Sequence, residues 1–393
     1  HPETPFVSGG NLSLVSDGII SGDAHFASGG GFSLLNLAGE AGTFRSINDP
    51  IISANGDVEF GDYTGASLKI EATGSIIGGE IIINNPDIGL APNPNDPDVE
   101  ILRNSPALIL RAGLDTLLYA PNVPTSAEGT NFDPPGNPSF LPPGSIQIGD
   151  VNNSEQDRNG VTVILNATGN IQTGRLTTDN LVGDGGFVNL EAGGNISTGG
   201  ISTIAGNMNG DGGEISLTAG GSITLTGDVL RSWSPQNGSD ITFTATGDIS
   251  INCTNTAFCV ETFSGGIPGV ESRGNSGNVT FISEEGSINA GEALINATNG
   301  TNNPGNVTIS AKGNISLRDI ATRLGANANT GVDGGSITII SETGSINIAA
   351  NVNSANSSAT NGNGGDITLE ADRNIEVIDI LANSNGGNGG NIT

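Results

Sequence analysis

Apolar and polar residues alternate over short segments throughout the chain. The segment 215–225 reads ISLTAGGSITL, so that apolar positions alternate with Ser and Thr on both sides of a Gly-Gly pair. A period of two indicates β-strands that each bury one face. A third short apolar group begins about five residues after the second in several copies, as at Leu176 and Ile201. The pattern predicts units of three short strands separated by turns.

These units recur along the chain at a nearly constant interval. Successive copies begin 25 to 38 residues apart, and most intervals lie between 25 and 30. Self-similarity at this period indicates a solenoid, whereas a β-propeller blade needs about 40–45 residues and calcium-binding nonapeptide repeats need a glycine-aspartate motif that is absent. We therefore predict an all-β parallel β-helix (β-solenoid) with about three short strands per 25–30-residue coil. The first apolar residues of the copies are Val163, Val188, Ile215, Ile241, Val279, Val307, Ile337, Ile367 and Ile392.

A small polar residue precedes the second strand of each copy. Stacked at one corner of a β-helix, such residues would form a ladder of side-chain hydrogen bonds between coils. The alternative is that small polar residues merely suit a turn. The residues concerned are Asn170, Asn195, Ser222, Asp248, Ser287, Asn314, Ser345 and Asn374.

Regularity varies along the chain and suggests three regions. Residues 1–85 are strand-like but irregular, and residues 159–393 carry the regular repeat. Between them, residues 86–158 include a proline-rich stretch, 86–143. Proline is poorly tolerated inside sheets, so we expect this middle region to consist of irregular coils with long loops extruded from the β-helix.

Several segments resemble a known family. DYTGASLKI at 62–70, LILRAGLD at 108–115 and GSIQIG at 144–149 are followed by GGxIxLxA repeats. In this order they resemble cyanobacterial filamentous-hemagglutinin-like proteins, large exoproteins of the two-partner secretion type. The resemblance covers nearly the whole chain. It implies a right-handed parallel β-helix, an extracellular or cell-surface location and a role as a fibre or adhesin.

Charge and hydropathy exclude some partners. Twelve Lys and Arg residues stand against 41 Asp and Glu residues, for a formal net charge of −29. Nucleic-acid binding needs a basic stripe, which this composition does not supply, and anionic membrane surfaces are disfavoured for the same reason. No run of 18 apolar residues is present, so we expect no membrane span.

Catalytic and metal-binding residues are sparse, and we expect a protein that is not an enzyme and has no cofactor. The two histidines, His1 and His25, cannot build a Ser-His-Asp arrangement. Calcium is the best metal candidate because Asp184, Asp211 and Asp333 lie in recurring glycine-rich turns. Calcium needs six to eight oxygen ligands, and one aspartate per turn supplies few of them, so ordinary turn chemistry is the competing interpretation.

Two cysteines enclose a five-residue segment in the longest repeat. A disulfide between Cys253 and Cys259 would close the base of a loop, as expected in an oxidising exterior. Two unlinked buried thiols are the alternative.

The overall expectation is a secreted, non-enzymatic β-helical fibre that builds an extracellular filament or sheath, or serves as an adhesin stalk. The alternative is a β-helix that binds or cleaves polysaccharide. Expected partners are further copies of the chain stacked end to end, or the continuation of a longer chain, with surface glycans bound through the loops of 86–143. Such end-to-end contacts would be heterologous and would propagate as a filament. The residues expected at the contact are Pro5, Phe6, Leu12, Leu14 and Ile392.

Overall fold

In the computed structural model of the protein, the regular secondary structure of the described residues is all β-strand apart from one short helix. Two compact units are present, one of His1–Thr178 with Asn189–Thr198, and one of Asp179–Val188 with Gly199–Thr393. The structure describes residues 6–48, 51–121, 143–153, 160–206, 209–227, 229–253, 259–264, 274–299, 302–324, 329, 331–357 and 361–393.

The first unit contains the strands up to β20 and one short helix. They are β1 Phe6–Ser8, β2 Leu12–Val15, β3 Ile20–Ser21, β4 His25–Ser28, β5 Phe32–Leu35, β6 Phe44–Ser46, β7 Ile51–Ala54, β8 Val58–Glu59, β9 Tyr63–Ala66, β10 Leu68–Ala72, β11 Ile76–Ile77, β12 Ile81–Asn85, α1 Asp98–Asn104, β13 Ala107–Ala112, β14 Ile146–Gln147, β15 Val151–Asn153, β16 Thr162–Ala167, β17 Ile171–Gln172, β18 Leu176–Thr177, β19 Val188–Ala192 and β20 Ile196–Thr198.

In the first unit, a strand pairs in parallel with the strand three places later in the chain. One set runs β1, β4, β7, β10, β13 and β16. A second runs β2, β5, β8, β11, β14, β17 and β20, and a third runs β3, β6, β9, β12, β15 and β18. Each coil thus contributes one strand to each of three stacks, which is a parallel β-helix. The predicted fold class and the three strands per coil are confirmed.

The second unit continues the same repeat with longer strands toward its end. They are β21 Ile201–Ser202, β22 Ile215–Ala219, β23 Ile223–Leu225, β24 Leu230–Arg231, β25 Ile241–Ala245, β26 Ile249–Ile251, β27 Val260–Glu261, β28 Val279–Ser283, β29 Ile288–Asn296, β30 Val307–Ala311, β31 Ile315–Ala321, β32 Ile337–Ser341, β33 Ile346–Asn353, β34 Ile367–Ala371 and β35 Ile375–Leu381.

The second and third strands of a coil merge from β29 onward. β29 pairs with both β26 and β27, and its register to β31 shifts between Ala290 and Leu294. The same kind of shift recurs in the pairs β31–β33 and β33–β35. A shift of this kind bends the strand, so one long strand supplies two faces of the coil.

The interior follows from the alternation. In β25 the side chains of Ile241, Phe243 and Ala245 are fully buried, whereas the threonines between them are partly exposed. The Phe243 ring packs against Phe281 of the next coil with a centroid separation of 5.1 Å. Identical apolar positions therefore stack from coil to coil and form a continuous core within the unit.

The polar ladder predicted at the corner before the second strand is present in both units. The side-chain oxygen of one coil accepts the backbone N–H of the next: Asp248 N–H donates to Ser222 Oγ at 3.0 Å, and Ser287 N–H to Asp248 Oδ1 at 2.7 Å. In the first unit, Asn195 N–H donates to Asn170 Oδ1 at 2.7 Å. The further steps in the second unit are Asn314 to Ser287, Ser345 to Asn314 and Asn374 to Ser345.

Within the described ranges, no helix combines the length and the apolar character needed to cross a membrane.

Candidate functional site

A groove of about 570 Å³ lies along the third strands of the second unit and the turns that follow them. It is a candidate site because it gathers aromatic, cationic and amide side chains in a chain poor in aromatic and basic residues. The lining residues are Ile204, Arg231, Trp233, Glu261, Phe263, Asn296, Thr298 and Arg323.

The coil repeat arranges these residues in two parallel columns. In the first, Arg231 of β24 is in register with Glu261 of β27, which is in register with Asn296 of β29. The second column lies two residues further along each coil and includes Trp233 and Phe263. Their neighbours Ser234 and Ser264 form a parallel bridge, and the bridges continue coil by coil through Leu324 to Ser384.

Alternation turns these side chains outward. Leu230, Ser232 and Ser234 are buried, whereas Arg231 and Trp233 between them remain partly exposed. The next coil repeats the pattern with Glu261 and Phe263. Neighbouring coils are separated by about 4.8 Å, so the aromatic side chains lie one step apart on the same surface.

An ion pair holds the first column together. Arg231 Nε lies 2.7 Å from Glu261 Oε2, and the Arg231 and Glu261 side chains are 30% and 13% exposed. Burial raises the pKa of Glu261, and the charge of Arg231 and a hydrogen bond with Asn296 oppose the rise only in part. Because Arg231 is paired with Glu261, it has little capacity left for an additional anion, while Arg323, which is exposed, makes no ion pair with a described residue.

Flat aromatic side chains beside amide and guanidinium groups suit a ligand with both apolar faces and polar edges. Arginine also binds carboxylates in bidentate fashion. The lining supplies a single carboxylate, Glu261. Hydrolysis of a glycosidic bond generally uses two carboxylates on opposite sides of that bond.

A second feature, in the first unit, is a buried cluster of charges. Lys69 and Glu71 are the outward-facing residues of β10, yet both are fully buried because the segment of residues 86–106 between β12 and β13 folds over this face. We call this segment the cover. It contains α1, and its apolar residues Leu90 and Leu102 belong to one buried cluster with Ile109 of β13.

Lys69 is the centre of the charge cluster. Its Nζ lies 2.9 Å from Glu71 Oε1 and 2.8 Å from carboxylate oxygens of both Asp96 and Asp98 in the cover. Arg111 of β13 donates through Nη2 to Asp98 Oδ1 at 2.9 Å. Two cations of the sheet thus face two carboxylates of the cover, Asp96 and Asp98, with Glu71 of the sheet beside them, and we infer that the cluster fixes the cover in place.

The cluster shifts the pKa values of its members. Burial alone would raise the pKa of Asp98, but the Arg111 hydrogen bond and the Lys69 charge outweigh it and lower that pKa below its ordinary value of 3.8. Burial alone would lower the pKa of Lys69, but Glu71, Asp98 and Asp96 raise it above 10.5.

These directions predict how stability depends on pH. A carboxylate whose pKa is lowered by folding stabilises the folded state at any pH above its unfolded-state pKa, and this stabilisation is lost as the pH falls through its folded-state pKa. A lysine whose pKa is raised by folding stabilises the folded state until the pH rises through its folded-state pKa. We therefore expect the melting temperature of wild type to exceed that of Asp98→Asn between about pH 4 and 10. The difference should shrink below about pH 4. Asp372→Asn, at an exposed position, is the control, and an equal shrinkage for both variants would contradict the expectation.

The three calcium candidates form hydrogen bonds between coils, in a second ladder separate from the corner ladder. Asp184 Oδ1 accepts the N–H of Asp211 at 2.9 Å, and Asp211 Oδ1 accepts the side-chain amide of Asn237 at 2.8 Å. Asp333 Oδ1 accepts the N–H of Asn363 at 2.6 Å. The described residues contain no group of three or more His, Cys, Asp and Glu side chains that could hold a metal ion. These contacts give the aspartates a structural part between coils.

The two cysteines are joined in the structure. Cys253 and Cys259 form a disulfide with their Cα atoms 6.2 Å apart, and both residues are buried. The five residues they enclose lie outside the described residues. We expect peptide mapping of native, alkylated protein to recover this pair as a linked peptide, and labelling of both thiols without prior reduction would contradict the bond.

The residues expected at an end-to-end contact differ in exposure. Phe6 is 63% exposed and Ile392 is 55% exposed, whereas Leu12 and Leu14 in β2 are partly buried. Pro5 lies outside the described residues. The Phe6 ring stacks on Phe26 with a centroid separation of 5.8 Å.

Neither the groove nor the charge cluster was predicted from the sequence. The groove had a usable signal, because Arg-Ser-Trp at 231–233 and Glu-Thr-Phe at 261–263 occupy equivalent positions in successive copies of the repeat. The charge cluster had no such sequence signal, because alternation places Lys69 on the outward face of β10 and only the path of the cover buries it.

No protein-family model, no curated protein and no solved structure matches this chain.

Proposed function

We propose that this protein is a secreted, non-enzymatic β-helical scaffold that builds an extracellular filament or sheath or serves as an adhesin stalk. The observation that carries the proposal is the way each unit is built. Parallel strands, apolar columns and polar ladders repeat from coil to coil, so most of the described residues maintain the stack. The resemblance of the sequence to filamentous-hemagglutinin-like exoproteins supports the same proposal.

The charge of the chain fits such a role. A formal net charge of −29 opposes side-by-side clumping, and only 12 of the 393 residues are Lys or Arg. Trypsin cleaves after these residues, and Lys69 and Arg111 are buried. A protein that persists outside the cell benefits from both properties.

Electron microscopy of native material tests the proposal. We expect continuous periodic filaments, or thin stalks on a cell surface, labelled along their length by an antibody to this chain. Labelling confined to the cell interior would overturn the proposal. So would release of reducing ends or unsaturated products from a panel of polysaccharides by the purified protein.

A polysaccharide-binding role is the second candidate function, and the groove lined by Trp233 and Phe263 favours it. This role is compatible with a scaffold, because the groove occupies one face of a few coils and leaves the stack unchanged. Its ligand is considered next.

A further inference from the structure

We propose that the groove along β24, β27 and β29 binds an acidic oligosaccharide, a chain of sugar rings that carry carboxylates. The inference rests on the second candidate function and names its ligand class, whereas it does not depend on the scaffold role, because it uses the side chains of the groove alone.

The aromatic column supplies the surface for the sugar rings. Trp233 and Phe263 face outward from adjacent coils, and Ile204 extends the apolar surface on the side of Trp233. A sugar ring has an apolar C–H face and a polar rim of hydroxyls, which matches an aromatic face bordered by hydrogen-bonding groups. Asn296 and Thr298, in the coil beyond Phe263, form a polar border of the same groove.

The charges in the groove select an acidic sugar. Arg231 and Arg323 stand against Glu261, which leaves a local net charge of +1 in a chain of −29. Because Arg231 already pairs with Glu261, Arg323 is the residue assigned to the ligand carboxylate. The carboxylate of Asp319 also lies near Arg323. Burial raises the pKa of Asp319, and backbone hydrogen bonds from Asn351 and Ile320 and the charges of Arg318 and Arg323 offset the rise only in part.

The dimensions of the groove suit several sugar units. Five coils contribute to the second column, from Ile204 to Arg323. With about 4.8 Å between coils, the column is roughly 19 Å long. A linear chain lying along the column would place one ring on the aromatic pair and a carboxylate beyond it at Arg323. The structure therefore assigns an extended oligosaccharide to the groove.

The test uses the single tryptophan of the chain. Because Trp233 is the only tryptophan among 393 residues, fluorescence excited selectively at tryptophan reports on the groove alone. The 393-residue protein is titrated with a short oligogalacturonate and with the same oligomer methyl-esterified, which keeps the rings and removes the charges. We expect a saturable change in fluorescence with the acid and binding at least about tenfold weaker with the ester.

Variants separate the contribution of the Arg323 charge from that of the aromatic surface. Arg323→Gln should weaken binding of the acid about tenfold and leave binding of the ester unchanged, whereas Phe263→Ala should weaken both. Arg373→Gln, an exposed arginine outside the groove, is the matched control and should leave both unchanged. Circular dichroism of each variant checks that the β-structure is intact.

Salt provides an independent readout. Pairing with Arg323 predicts that affinity for the acid falls as ionic strength rises, whereas repulsion by the whole chain would predict the reverse. The proposal is overturned if fluorescence stays constant at saturating oligomer, if acid and ester bind equally, or if Arg373→Gln weakens binding as much as Arg323→Gln. None of these outcomes bears on the filament test.

Discussion

Lys69→Met should lower the free energy of unfolding of the first unit by about 3–5 kcal/mol. Methionine keeps the length and apolar part of the side chain but removes the charge that Glu71, Asp96 and Asp98 share. Those carboxylates remain buried, with Arg111 as their nearest cation, and breaking a buried ion pair by removing one partner is strongly destabilising. Urea unfolding followed by circular dichroism, together with limited proteolysis of the cover, measures the loss.

Lys312→Met is the control, because Lys312 is the only other lysine in the chain. It pairs with Glu285 at the surface, where the two side chains are 41% and 61% exposed. Exposed pairs contribute little because solvent screens them, so this variant should unfold at nearly the wild-type urea concentration. Equal shifts for the two lysines would show that the buried cluster does not stabilise the cover.

Phe281→Ala should destabilise the second unit by about 3–5 kcal/mol. The Phe281 ring is fully buried and packs against Phe243, and its removal leaves a cavity inside the stack that the neighbouring coils cannot fill without moving. The urea midpoint of unfolding measures the effect.

Thr280→Ala is the matched control on the same strand. Thr280 precedes Phe281 and faces the opposite side of β28, so its replacement should change the midpoint little. If the two substitutions had similar effects, the assignment of inward and outward faces in β28 would be wrong.

Much of the fold could be predicted because the information is local. The alternation in 215–225 fixes which side chains of β22 and β23 point inward, and recurrence at one interval fixes their partners in the next coil. The corner residues are also predictable from the sequence, since Ser222 and Asp248 occupy the same position in successive copies of the repeat.

The cover and the groove are harder to predict because both depend on contacts between distant parts of the chain. Lys69 and Asp96 are 27 residues apart, and alternation alone assigns Lys69 to solvent. In the groove, Arg-Ser-Trp and Glu-Thr-Phe mark equivalent positions in the sequence, but β24 and β27 are only two residues long, so alternation alone does not show that their side chains line a common groove. The period of the apolar residues predicts which face of a strand a residue lies on, but it does not predict which other segment packs against that face.

The corner ladder has a consequence for how such a chain can change length. Its hydrogen bonds run in one direction, from the backbone N–H of a later coil to a side-chain oxygen of the earlier one, and Asn, Asp and Ser all serve as acceptors. Each coil on this described part of the ladder therefore offers the next coil the same kind of hydrogen-bond acceptor. Duplication or deletion of one whole repeat would keep these corner hydrogen bonds intact, so the ladder allows the stack to lengthen or shorten by about 4.8 Å per event.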